Sequence, residues 1–162
     1  MNKGFTLIEA LISLALFMLL STGLLLLWQH TASIASRALV KQNALDNLHI
    51  AMDGLTSNIQ FSHSLTLTTD SRQRLRRLDM QGYNPRGQHH TYFFTFNPYA
   101  RPQDAIYKSL FFGGQQFAYG IQTIRIIHVK NCRFEITIES SRVPGLSIEG
   151  SVDIRHKFVT VR

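Results

Sequence analysis

The chain has one cysteine, Cys132, among 162 residues, so no disulfide can form within it. Its stability must come from packing. Proline is scarce, and the first of the four is Pro85, so no proline breaks a helix in the first half. Charged residues make up 17%, thin against about 25% in ordinary soluble domains. Acidic residues are outnumbered 10 to 17 by lysine and arginine, giving a net charge of +7. That balance favours anionic contacts such as nucleic acid, acidic lipid or an acidic protein face, and names none of them. Motifs of catalysis are also missing. There is no P-loop, no GxGxxG, no nucleophile elbow and no HExxH spacing among the histidines. His89 and His90 are adjacent, so on a strand they point to opposite faces and make a poor joint metal site. The chain therefore reads as a non-enzyme with no metal and no cofactor. There is no internal repeat and no low-complexity tract.

What the chain does have is a long apolar run. From Phe5 to Trp28 there are 24 residues, and Glu9 is the one charged residue among them. As a helix this run is about 36 Å long, enough to cross a hydrocarbon core of about 30 Å. It is longer than the apolar region of a secretory signal, although Ser33 and Ala35 mimic the small residues of a cleavage site. A carboxylate at mid-membrane costs roughly 2.5–3.5 kcal/mol, less near a helix end. Glu9 is either tolerated at headgroup depth or has a cationic partner. If the chain were cut after Gly4, the new α-amino group on Phe5 would supply one, in the same chain or a neighbouring one. A paired charge in lipid is far cheaper than a single one.

Gly4-Phe5-Thr6-Leu7-Ile8-Glu9 resembles the type IV prepilin signature: a glycine, a cut, a phenylalanine, and a glutamate four residues on. The resemblance covers about the first tenth of the chain. It implies a prepilin peptidase that cuts between Gly4 and Phe5 and methylates the Phe5 amine. It also implies that Glu9 pairs with the Phe5 amine of an adjacent subunit during assembly. The partners so implied are the peptidase, other pilin or pseudopilin subunits, and inner-membrane lipid. The location implied is a single pass of the cytoplasmic membrane, with the N-terminus in the cytoplasm and the body outside, then a pilus or pseudopilus. Charge does not settle orientation, because Lys3 precedes the span while Arg37 and Lys41 follow it.

The helix is expected to continue. Leu45, Leu48, Met52, Leu55 and Ile59 recur at spacings of 3 and 4, one stripe of an amphipathic helix that Ile34 and Ala38 extend backward. Gly23 and Gly54 are its weak points. The segment "NALDNLHIAMDGLTSNIQFS" also resembles the helix of the larger J-like and W-like minor pseudopilins. Beyond Phe61, "SLTLTT", "HTYFFTF", "TIRIIHV", "RFEITIE", "LSIEGSVDIR" and "KFVTV" alternate and are rich in β-formers. Turn signals separate them, among them Gly113-Gly114, Lys130-Asn131 and Pro144-Gly145. Residues 70–101 read less clearly and are expected to carry loops. The expected fold is α+β: a long N-terminal transmembrane and amphipathic helix packed on an antiparallel sheet, as in the pilin lollipop. The expected segments are a leader at 1–4, a transmembrane helix at 5–28, an amphipathic helix at 29–61 and a β-rich extracytoplasmic domain at 62–162.

One basic stretch remains, "RQRLRRLD". Arg72, Arg74 and Arg76 alternate, so on a strand they share a face and can contact DNA phosphates or another anion. The plainer reading is a solvated edge strand whose charges discourage aggregation. Leu26 stands where major pilins often carry a proline, and one cysteine forbids the disulfide that many of them close. Both departures favour a minor pilin or pseudopilin of a type IV pilus, type II secretion or competence machine. The retained Glu9 argues against the tip pseudopilins that lack it. The alternatives are a pilus-tip module binding DNA or another ligand, and a signal-anchored envelope protein that is never cut.

Overall fold

The computed structural model describes residues 6–83, 89–96, 109–130, 132–154 and 158–161. Among these residues one helix, α1 (Leu7–Phe61), is followed by nine strands. They are β1 (Ser64–Thr69), β2 (Leu75–Tyr83), β3 (His89–Phe96), β4 (Ser109–Phe112), β5 (Gln115–Tyr119), β6 (Ile121–Lys130), β7 (Arg133–Ser140), β8 (Ser147–Asp153) and β9 (Phe158–Val161). The chain divides into two compact units, Met1–Leu39 and Val40–Arg162.

In the first unit the helix follows from composition. Leu and Ala dominate, no proline interrupts, and the threonine hydroxyls turn inward. Thr22 Oγ1 donates to the Met18 carbonyl, and Thr31 Oγ1 to the Leu27 carbonyl at 2.8 Å. That back-bonding satisfies hydroxyls on an otherwise apolar stretch of helix. The large apolar side chains from Leu7 to Trp28 are all exposed.

In the second unit the amphipathic stripe is buried. Ala44, Asn47, Leu48, Ala51, Met52, Leu55 and Ile59 face inward. Leu48, Leu55 and Ile59 are fully buried, each worth about 2–3 kcal/mol of transfer energy. The backward extension expected through Ile34 and Ala38 does not hold, because both are exposed and burial begins at Ala44.

The strands form two sheets where one was expected. The larger has the order β5-β4-β3-β2-β1-β9 and the smaller β6-β7-β8. All pairs are antiparallel except β1 with β9, which run parallel with Leu67 opposite Val161. The alternation in β7 buries Phe134, Ile136 and Ile138 and turns Glu135 outward. Gly113 and Gly114 join β4 to β5 with φ of 58° and 89°. Positive φ at both positions makes a tight hairpin turn that glycine suits.

Two bulges explain what alternation alone misses. Thr68 lies opposite Arg77 and Thr69 opposite Leu75, so Arg76 is an extra residue in β2. Leu75 and Leu78, three residues apart, are thereby both buried. Likewise Leu110 lies opposite Ala118 and Phe111 opposite Gln116, which leaves Phe117 as the extra residue of β5. Its ring then lies against Gly54 of α1, where an added Cβ would overlap Cε1 and Cζ. Gly54 is thus a packing site for an aromatic ring, and α1 runs through both Gly23 and Gly54 without a break.

Candidate functional site

The helix start is built from four residues. Thr6 precedes the first helical residue, Leu7. Its backbone N–H donates to Glu9 Oε2 at 2.9 Å, and its hydroxyl donates to the same oxygen at 3.0 Å. The Glu9 backbone N–H points back at Thr6 Oγ1 at 3.4 Å. This is a capping box: the residue before the helix and the residue three further on satisfy each other's amides. The signal was present in the sequence as Thr6-x-x-Glu9 ahead of an apolar run, and the sequence reading passed over it. Thr6 is therefore a site residue that reasoning from charge alone missed.

The cap leaves Glu9 half committed. Oε2 takes both Thr6 donors, while Oε1 has no partner among the described residues. A carboxylate can accept several hydrogen bonds, so Glu9 can hold the helix end and a second donor together. Gly4 and Phe5, the proposed cleavage pair, lie outside the described residues.

The arginine stretch differs from the expected strand face. Arg72 is in the turn that precedes β2, and Arg74 forms an isolated bridge with Arg125. Asp70 organises that turn. Its Oδ1 accepts the amides of Arg72 at 2.8 Å and Arg74 at 2.9 Å, while Oδ2 accepts Arg74 Nε at 2.9 Å. The Arg74 side chain is only 13% exposed and its Asp70 partner 5%. Arg76 is the bulged residue. The three arginines therefore share no strand face, because the chain is turning at Arg72 and bulged at Arg76. Nor is β2 an edge strand, since it lies between β1 and β3. Arg77 chelates Asp79 through Nε at 2.9 and 2.8 Å and lies 4.7 Å from the Phe93 ring. The Asp79 carboxylate raises the pKa of its guanidinium further.

Among the described residues no three His, Cys, Asp or Glu side chains converge as a metal site requires. Cys132 is a half-buried turn residue with φ of 65°. His90 stacks edge-on to Tyr92 at 4.8 Å.

Residues 1–25 match the family model described as the prokaryotic N-terminal methylation motif. No curated protein and no solved structure matches the chain. The chain thus carries a type IV prepilin-like N-terminus on a long helix that packs, in its second unit, against β-sheets. The motif implies processing by prepilin peptidase and assembly with pilins.

Proposed function

We propose that the chain is a minor pilin or pseudopilin of a type IV pilus, type II secretion or competence machine. In this reading it is cut between Gly4 and Phe5 and held in its fibre by the N-terminal helix. The observation that carries it is the helix start: a methylation motif over residues 1–25, with Glu9 capping the helix through one oxygen and offering the other. In a fibre the free oxygen accepts the Phe5 ammonium of a neighbour. The apolar, exposed helix from Leu7 to Trp28 supplies the anchor in the cytoplasmic membrane before assembly and the packing surface after it. The N-terminus starts in the cytoplasm, and the β-rich unit lies outside.

Intact-mass measurement of the membrane-extracted protein tests this directly. The expected mass is that of the chain from Phe5 onward with one added methyl group. Replacing Gly4 by a bulky residue should leave the uncut precursor in the membrane. A full-length wild-type mass, with Met1 to Gly4 retained, would favour a signal-anchored envelope protein instead.

A further inference from the structure

The chain carries a net charge of +7, yet one surface of it is acidic. The outer face of the smaller sheet carries Glu135, Glu139, Glu149 and Asp153, four of the chain's ten acidic residues. Arg125 and Arg133 share that face, and among the described residues neither forms an ion pair with a carboxylate there. Arg133 Nη2 donates instead to Ser151 Oγ at 3.2 Å. The strand register sets the layout. Glu139 lies opposite Ser147, Thr137 opposite Glu149, and Glu135 opposite Ser151. Glu139 and Glu135 are therefore about 13 Å apart along β7, and Glu149 lies halfway between them on the neighbouring strand.

At the Glu139 end the face deepens into a cavity of about 450 Å³, lined by Gln122, Glu139, Ser141, Pro144, Leu146 and Ser147. The backbone builds it. Ile121 lies opposite Ser140 and Thr123 opposite Glu139, so Gln122 is an extra residue in β6. Another wall is the turn between β7 and β8. There the Leu146 N–H donates to the Val143 carbonyl at 3.2 Å, Pro144 follows Val143, and Gly145 has φ of 77°. That is the pattern of a type II turn. Ser140 Oγ accepts the amides of Arg142 and Val143 at 3.1 and 3.2 Å and ties the turn down. The cavity is thus formed before anything enters it. Glu139 is the charged residue among those that line it. Its Oε2 accepts the Thr123 hydroxyl at 2.7 Å, and Oε1 has no partner among the described residues. A half-buried carboxylate oxygen beside hydroxyls and an amide calls for a cationic donor. Pro144 and Leu146 offer apolar contact to the stem of a long basic side chain.

We propose that this face docks an extended, basic segment of a partner protein, with one arginine or lysine side chain entering the cavity beside Glu139. Alternate residues of an extended strand recur about every 7 Å. Cations at every second position would therefore meet Glu139, Glu149 and Glu135 in turn. Nucleic acid and acidic lipid are repelled by the same carboxylates. Every residue of the surface belongs to the second unit, so docking is independent of cleavage at Gly4 and of the helix start.

The test is a titration of the isotope-labelled full chain, in non-ionic detergent, with the peptide acetyl-RTRTRT-amide. The net charge of the protein repels this peptide, so binding must be local. Saturable shifts of the Gln122, Glu139 and Ser147 amides are expected, and added salt should weaken them. Glu139→Gln keeps an oxygen for Thr123 and loses the charge, and should lower affinity about three- to five-fold. Ser147→Lys sets a resident cation opposite Glu139 and should lower it further. Asp46→Asn removes an exposed carboxylate from α1 and should change nothing. Circular dichroism should show all three variants folded. Absence of binding, equal binding of acetyl-ETETET-amide, or equal weakening by Glu139→Gln and Asp46→Asn would each overturn the proposal, as would wild-type affinity in Ser147→Lys.

Discussion

At the scale of single residues, Glu9 has two separable tasks, and substitutions tell them apart. Glutamine at position 9 keeps an oxygen for the Thr6 amide and loses the charge, whereas alanine loses both. Both changes ease insertion into lipid by up to about 2–3 kcal/mol at mid-depth. Alanine also removes the cap, worth about 0.5–2 kcal/mol of helix stability. Loss of one partner from a buried ion pair costs about 3–5 kcal/mol. The expected outcome is that Glu9→Gln and Glu9→Ala are both cut normally and both fail to enter the fibre. Hydrogen exchange in the first helical turn should rise in Glu9→Ala alone. Co-purification with other pilins measures the first effect. If Glu9→Gln assembles like the wild type, Glu9 is a helix cap and the charge pairing is wrong. Thr6→Ala should resemble the fraying effect without the assembly defect.

Among the elements, what could be read in the sequence was whatever repeats. Of the stripe Leu45, Leu48, Met52, Leu55 and Ile59, all but the half-buried Leu45 lie on the buried helix face, and alternation located β1, β3, β6, β7, β8 and β9. What could not be read were the single-residue departures from a period. Arg76 and Phe117 are bulged, and a bulge depends on the partner strand, which local sequence does not specify. That is why Arg72, Arg74 and Arg76 looked like one face, and why Gly54 looked like a weakness. The short β4 and β5 hid for a similar reason: four and five residues are too few to display alternation. Gly54 supports a sharp expectation. Alanine is the better helix former by about 1 kcal/mol, so on a free helix Gly54→Ala would stabilise. Here the new methyl meets the Phe117 ring, which also packs against Phe94 and Phe112 at 5.8 and 6.3 Å. Gly54→Ala should instead destabilise by about 1–3 kcal/mol in denaturant melts. Phe117→Ala in the same chain should remove most of that penalty, and additive costs would show that the two positions are not coupled. In the arginine turn, Asp70→Ala frees two amides and removes the carboxylate that Arg74 Nε donates to, and should cost about 1–3 kcal/mol. Arg72→Ser should be nearly neutral, since its exposed side chain contributes little.

Across the whole molecule, stability and assembly belong to different parts of the chain. The described core contains no residue before Ala44, and the single cysteine adds no covalent tie. The free energy of folding therefore resides in the second unit, in the helix face from Ala44 to Ile59 and the two sheets against which it packs. The first unit exposes every large apolar side chain from Leu7 to Trp28, a surface far larger than soluble monomers tolerate. It is useful only in lipid or against other helices. A chain that begins at residue 29 should consequently be soluble without detergent and should melt in one cooperative transition. Its midpoint should lie within about 2 °C of the full chain in mild detergent, given that 1 kcal/mol shifts a domain of this size by about 4 °C. The same truncation should abolish fibre incorporation, because Glu9, its cap and the apolar surface are gone together. A drop of more than about 5 °C would mean that the first helix stabilises the β-rich unit. The division of labour would then fail, and the assembly defects expected of Glu9 variants would have to be separated from unfolding before they could be read.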